Sequence, residues 1–340
     1  MTTIYLVRHA EAEGNLYRIA HGQYDGLITD RGYRQIDVLR RRFENVHIDA
    51  VYSSDLFRAR TTAKAIYEAK GLPLHLEPAF REIHMGIWEG RIWQELNTNY
   101  EQEMYCFNRQ LDKFSIEGGE TCQQVLDRFL PALERVAKAH DGQTIAIFSH
   151  GAALRMVIGV LNGLSLAEVG ESPHGDNTAV ALVEYENGKF TVKYHNDNSH
   201  QVEAGLSTFA KQSWWRDKRM MSGGQYYRPM DEETAKKFHV PAGGHQFAVW
   251  FEDRAVGAVQ LLPEKDPTVG WIGYYYLAED MRGRNYGVPP LGQAVMYYRE
   301  RGIDRLRLEC SDEHARGFFA HYGFKPLEGN VMEKYIGYGE

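Results

Sequence analysis

At 340 residues the chain exceeds what one hydrophobic core usually organises, so two domains are expected. Its 43% apolar and 25% charged residues are ordinary for a globular protein, and a net charge of −7 speaks against nucleic acid or an anionic membrane as partner. No apolar run approaches the roughly 18 residues of a membrane span. Three scattered cysteines (Cys106, Cys122, Cys310) exclude a disulfide framework or a Cys-rich zinc site and fit a reducing cytoplasm.

Residues 3–7 read as a strand that Arg8 and His9 follow at once, so no signal peptide is expected. Short apolar runs at 4–7, 48–52 and 145–148 are typical of buried parallel strands. Helical patterns follow the second and third, over 58–69 and 152–161. Another helix is announced by Thr121 and Gln124, a capping box, with Val125, Phe129, Leu133 and Val136 as its apolar face. Pro131 lies inside that pattern and predicts a kink. Strands alternating with helices imply an α/β layer fold on a mostly parallel sheet.

Between residues 196 and 224 the sequence turns polar and irregular, and it ends in Ser222-Gly223-Gly224. Trp214 and Trp215 within it are candidates for an interdomain contact. The expected division is a domain at 1–205, a linker at 206–224 and a second domain at 225–340. Strands at 246–251, 255–262 and 271–277 come next, the first two joined by Glu252-Asp253-Arg254, a link short enough for a hairpin. Helices over 289–301 and 312–321, with a strand at 305–310 between them, complete an α+β pattern.

Three strand ends in the first block carry the chemistry. Arg8 and His9 end the first strand, Ser53 and Ser54 end the second with Arg58 a turn later, and His150 ends the third. Ligands of open α/β sheets bind beyond the carboxyl ends of the strands, so these residues should meet. Two arginines would give a phosphoryl group charge-assisted, bidentate bonds, and a histidine among them can attack phosphorus. Glu82 is the candidate acid for the departing alkoxide, ahead of Glu89. Zinc is the rival use of histidine, but the arginines cannot ligate it and would repel it. The aromatics of 91–115 (Trp93, Tyr100, Tyr105, Phe107, Phe114) either cover the pocket or pack a helix pair. Downstream, Arg282-Gly283-Arg284-Asn285-Tyr286-Gly287 follows a strand, and Pro289 and Pro290 open a helix. Such a loop offers backbone N–H groups to a pyrophosphate.

The run Leu6-Val7-Arg8-His9-Ala10-Glu11 with Asn15 resembles the signature of the histidine phosphatase (phosphoglycerate-mutase-like) superfamily. Further segments match in order: Leu27-Ile28-Thr29-Asp30-Arg31-Gly32 with Gln35, Ser53-Ser54-Asp55-Leu56-Phe57-Arg58-Ala59 with Thr62-Ala63, Arg81-Glu82-Ile83 with Gly86, Trp88, Glu89 and Gly90, and Ser149-His150-Gly151. The resemblance covers about residues 1–200 and implies a three-layer α/β/α domain. In it His9 is the nucleophile and becomes phosphorylated, while Arg8, Arg58 and His150 hold the phosphoryl oxygens. Asn15 and Ala152 contact the substrate, and Glu82 protonates the leaving group and then deprotonates water. No metal is implied. Ala10 stands where glycine is usual. The family also contains mutases, whose chains typically carry longer insertions; this compact block points to a phosphatase acting on a small phosphomonoester.

Residues 225–340 resemble the GNAT N-acetyltransferase family in strand 271–277, loop 282–287 and the 312–324 segment ending Tyr322-Gly323-Phe324. The resemblance implies acetyl-CoA, held through its pyrophosphate by Arg282, Gly283, Arg284, Asn285, Tyr286 and Gly287, and an amine acceptor. Asn285 replaces a usual glycine. Phe319 falls where many members place a tyrosine that protonates the departing thiolate; Tyr322 is the nearest phenol in sequence. The expectation is a bifunctional enzyme. The alternatives are a C-terminal domain that only binds acyl-CoA or stabilises the phosphatase, and a mutase.

Overall fold

The computed structural model describes residues 1–208, 225–283 and 286–338. Two compact units emerge: one contains Met1–Asn15, Ile19–Arg91 and the chain from Asn99 to the seam, the other Leu16–Arg18, Ile92–Thr98 and the C-terminal residues.

The first unit is built on a six-stranded sheet among the described residues. Its strands are β1 (Thr2–Arg8), β2 (Ala50–Ser53), β3 (Leu74–Leu76), β4 (Thr144–Ser149), β5 (Val180–Glu186) and β6 (Lys189–Asp197), in the order β3-β2-β4-β1-β5-β6. The first four run parallel, and β5 and β6 are antiparallel additions. The apolar runs are buried as expected: Ile4, Leu6, Val7 and 145–148 are inaccessible to solvent. Leu39, Phe43, Ala63 and Ile66 of helices Asp30–Arg42 and Phe57–Lys70 pack one face of the sheet against Val7, Val51 and Phe148. Helices Cys122–Ala139 and Gly151–Leu161 pack on each other and on β1, completing three layers.

Register positions the site. Arg8 pairs with Ser149 and Ser53 with Phe148, so the residues that follow, His9, Ser54 and His150, leave the sheet at one edge. The capping box at Thr121 and Gln124 forms. Pro131 lies on the exposed side of one continuous helix, where water can satisfy the carbonyl that proline leaves without a donor.

The second unit carries a seven-stranded sheet among the described residues, in the order β12-β13-β11-β10-β9-β8-β7. The strands are β7 (Gln225–Pro229), β8 (His245–Phe251), β9 (Arg254–Leu261), β10 (Gly270–Leu277), β11 (Arg305–Glu309), β12 (Lys325–Pro326) and β13 (Val331–Tyr335). β8 and β9 form the expected hairpin, tighter than predicted: Phe251 pairs with Arg254 across two residues. β10 lies parallel to β11 only from Gly270 to Ile272; beyond a bulge, Tyr274–Leu277 pair with β9. The helix Val288–Arg299 makes the crossover between these diverging strands.

The expected linker begins three residues too early. Leu206 accepts from Gln35, and Ser207 and Thr208 donate to Asp176, so the first unit continues through Thr208. Trp214 and Trp215 lie outside the described residues.

Candidate active site

His9 leaves β1 buried, with Nδ1 2.7 Å from the Ala10 carbonyl. A carbonyl only accepts, so Nδ1 carries the proton and the lone pair resides on Nε2. Burial and the charges of Arg58 and Arg8 hold the imidazole well below its ordinary value, so the neutral form prevails at pH 7. His150 is the N-cap residue of helix Gly151–Leu161, its Nε2 2.8 Å from Ser54 Oγ. Burial and Arg58 keep it neutral as well. The two imidazole centroids are 5.3 Å apart.

Arg58, in the first turn of helix Phe57–Lys70, is fully buried. It donates to the carbonyls of Tyr24 at 3.0 Å and Gly22 at 2.6 Å, with Asp25 Oδ1 at 3.8 Å. Arg8 donates through Nη1 to the Gly175 carbonyl. Its guanidinium lies along the start of helix Gly151–Leu161, where a Cβ on Gly151 would sit 3.2 Å from Arg8 Cζ. Burial lowers both guanidiniums, and each still feels Glu82. Arg58 Nε and His150 Nδ1 are buried without a hydrogen-bond partner, an uncommon state for polar atoms and one that a bound oxyanion can relieve. The residues present therefore suit a phosphoryl group: two cations, two neutral imidazoles and buried nitrogens awaiting an acceptor.

Glu82 is placed by its own hydrogen bonds. Its carboxylate accepts the amides of Ala152 at 3.0 Å and Ala153 at 2.8 Å, the first turn of helix Gly151–Leu161. Ala152, expected at the substrate, lies beside Glu82 and gives its amide to that carboxylate, because a helix N-terminus attracts a nearby carboxylate. Asn15 Oδ1 accepts from Ala12 and Asn177, so its NH2 is the group it can turn to an anion. Glu89 accepts the amides of Gln23 and Met85 and braces the loop.

In the second unit the loop expected to hold pyrophosphate is described in part; Arg284 and Asn285 lie outside the described residues. Gly283 has φ +73° and Arg282 is exposed, with Nε on the Leu277 carbonyl. The Tyr286 carbonyl accepts from Gln225. Gly287 precedes helix Val288–Arg299, whose start offers little to an anion. Pro289 and Pro290 have no N–H, and the Leu291 amide is taken by the Tyr275 phenol, which itself donates to the Gly287 carbonyl. Phe319 is 5% exposed, its ring 5.5 Å from those of Tyr275 and Phe324. Tyr322 caps the same helix and packs on Phe318.

A model of the histidine phosphatase superfamily (branch 1) matches residues 4–198. The chain belongs to the histidine phosphatase superfamily. A model of the acetyltransferase (GNAT) family matches residues 209–324, so a GNAT domain is fused to the phosphatase domain. Among similar proteins, phosphoserine phosphatase 1 of Hydrogenobacter thermophilus is 31% identical over 60% of this chain and 96% of its own length. The probable phosphoglycerate mutase GpmB of Serratia proteamaculans is 36% identical over 48% of this chain and 76% of its own. The metal-independent phosphoserine phosphatase of Arabidopsis thaliana is 32% identical over 61% and 86%.

One support of the histidine phosphatase site escapes sequence reasoning. Arg128 donates to the carbonyls of Ala79, Arg81 and Glu82 and is held by Glu120, which fixes the Glu82 loop. Ser54, expected at the site, orients His150. The aromatic segment resolves toward packing: Tyr100, Phe107 and Phe114 surround the buried Trp88 at 5.5–6.2 Å between centroids. No helix among the described residues is long and apolar enough to cross a membrane.

Proposed function

We propose that the N-terminal domain is a metal-independent phosphomonoester hydrolase working through a phosphohistidine on His9. The observation that carries this reading is a buried, neutral imidazole beside the buried Arg58 and the half-buried Arg8, its proton confined to Nδ1. Arg8, Arg58 and His150 bind the phosphoryl oxygens. The Nε2 lone pair of His9 attacks phosphorus, the P–O ester bond breaks, and its electron pair stays on the leaving oxygen, which Glu82 protonates. Glu82 then takes a proton from water, the water oxygen attacks phosphorus, and the P–N bond returns its electrons to His9. Phosphoserine is the substrate to test first, as the activity named for two similar proteins. With chelator present, wild type should release phosphate and His9→Ala should lose at least about 10³-fold. Undiminished release from the variant would overturn the reading, and phosphate moved within the substrate without release would identify a mutase.

For the GNAT domain, the family supports acetyl-CoA-dependent transfer to an amine. A second reading, acyl-CoA binding without turnover, is favoured by Phe319, by the Tyr275 phenol tied to Gly287, and by the prolines at the helix start. Calorimetric binding of acetyl-CoA with no thiol release on any amine would select the second reading; thiol release would select the first.

A further inference from the structure

The turn that follows His174 holds the nucleophile from its backbone side. Arg8 donates through its amide to the Ala179 carbonyl at 3.1 Å and through Nη1 to that of Gly175. The His9 carbonyl accepts Asn177 Nδ2 at 3.0 Å and the Thr178 amide at 3.3 Å. Thr178 is fully buried at φ +58°, a conformation that β-branched side chains resist, so its surroundings must impose it. Two of them are visible: Thr178 Oγ1 accepts Gln201 Nε2 at 2.6 Å and lies 3.1 Å from His200 Nε2.

At the centre of this turn is Asp176, a carboxylate 1% exposed that no step above uses. Its contacts are neutral donors: Ser207 Oγ at 2.6 Å, Thr208 Oγ1 at 2.6 Å, the Thr208 amide at 3.2 Å, Asn198 Nδ2 at 3.0 Å and the Asn177 amide at 2.8 Å. Those bonds hold it charged in spite of its burial, and the charge it acts on is that of Arg8. A buried carboxylate is costly unless many donors converge on it, and here three of the five belong to Ser207 and Thr208.

We propose that Asp176 is a positioning residue for the phosphatase reaction. It pins the 175–178 turn to Ser207 and Thr208, and through that turn it sets the attack line of His9 and the pose of Arg8. The proposal rests on the phosphohistidine reading, and the His9→Ala control separates the two failures: phosphate release that survives in that variant sinks both.

The experiment is steady-state phosphate release by the full chain carrying Asp176→Asn, Thr208→Val or Thr208→Ser, with thermal unfolding of each. Misplacement of a nucleophile shows in kcat, so Asp176→Asn should lose about 10-fold or more in kcat with KM within about twofold. Thr208→Val, which keeps shape but loses the hydroxyl, should lose about threefold or more, and Thr208→Ser should restore it. A folded Asp176→Asn with kcat within twofold of wild type overturns the proposal, as does a change carried by KM alone. Where Asp176→Asn fails to fold, the Thr208 pair decides: loss in Val with rescue in Ser supports positioning, and equal behaviour of the two refutes it.

Discussion

The two units share a device, a strand end followed by a helix start, and use it in opposite ways. Where β4 gives way to helix Gly151–Leu161, His150 is the N-cap residue, Gly151 makes room for Arg8, and the amides of Ala152 and Ala153 hold Glu82. Where β10 leads to helix Val288–Arg299, two residues lack an amide hydrogen and the next amide serves the half-buried Tyr275. One helix start holds a carboxylate beside two arginines; the other gives its amide to a tyrosine of the preceding strand. Family membership supplies both backbones, and the chemistry follows from the side chains set on them.

The contrast breaks most visibly at Glu82. If its carboxyl shuttles the proton, Glu82→Gln should lower kcat by about 10²–10⁴-fold for a substrate with a poor leaving group, and far less for an activated aryl phosphate. Equal losses on both substrates would mean that Glu82 serves only to cap the helix.

A second effect separates the units by pH. His200, 8% exposed, is pushed down to about 4 by burial and by Arg42. The unfolded chain takes up its proton near pH 6.5, so this contribution to stability is complete above pH 6.5. It falls as pH drops toward 4 and levels off below, a loss on the order of 3 kcal/mol. The urea midpoint for loss of phosphatase activity should therefore fall between pH 7 and pH 4.5, and His200→Gln should flatten the slope. A slope unchanged in the variant would assign the pH dependence to other groups.

The smallest effect tests the closed site. Phe319→Tyr restores the phenol that many GNAT members carry and should raise thiol release from acetyl-CoA with an amine panel by about tenfold. Wild-type turnover that the variant does not improve would show that this domain has its proton donor elsewhere.

Much of this was legible beforehand. The apolar runs marked three of the four parallel strands, and the Thr121 box marked its helix. Asn187-Gly188, both at positive φ, is a readable two-residue turn of the kind that joins hairpin strands such as β5 and β6. The strand β3 (Leu74–Leu76) is too short to show a period, and β13 owes its place to pairing with β11. For the site, Arg8, His9, Arg58, Glu82 and His150 lie in short runs whose residue types suit phosphate chemistry. The bond from the Ala152 amide to Glu82 was not legible, since an amide has no sequence signature and its partner is a carboxylate 70 residues away.

By itself, then, the sequence determined the family and the set of histidines and arginines at the strand ends, because those side chains are chemically distinctive and sit in short runs. Only the tertiary structure decided which amides hold Glu82, which hydroxyls surround Asp176, and that Tyr275 caps the second helix. Each of these depends on the register of strands and the packing of helices far apart in the chain, where ordinary residues acquire a role only from what lies beside them.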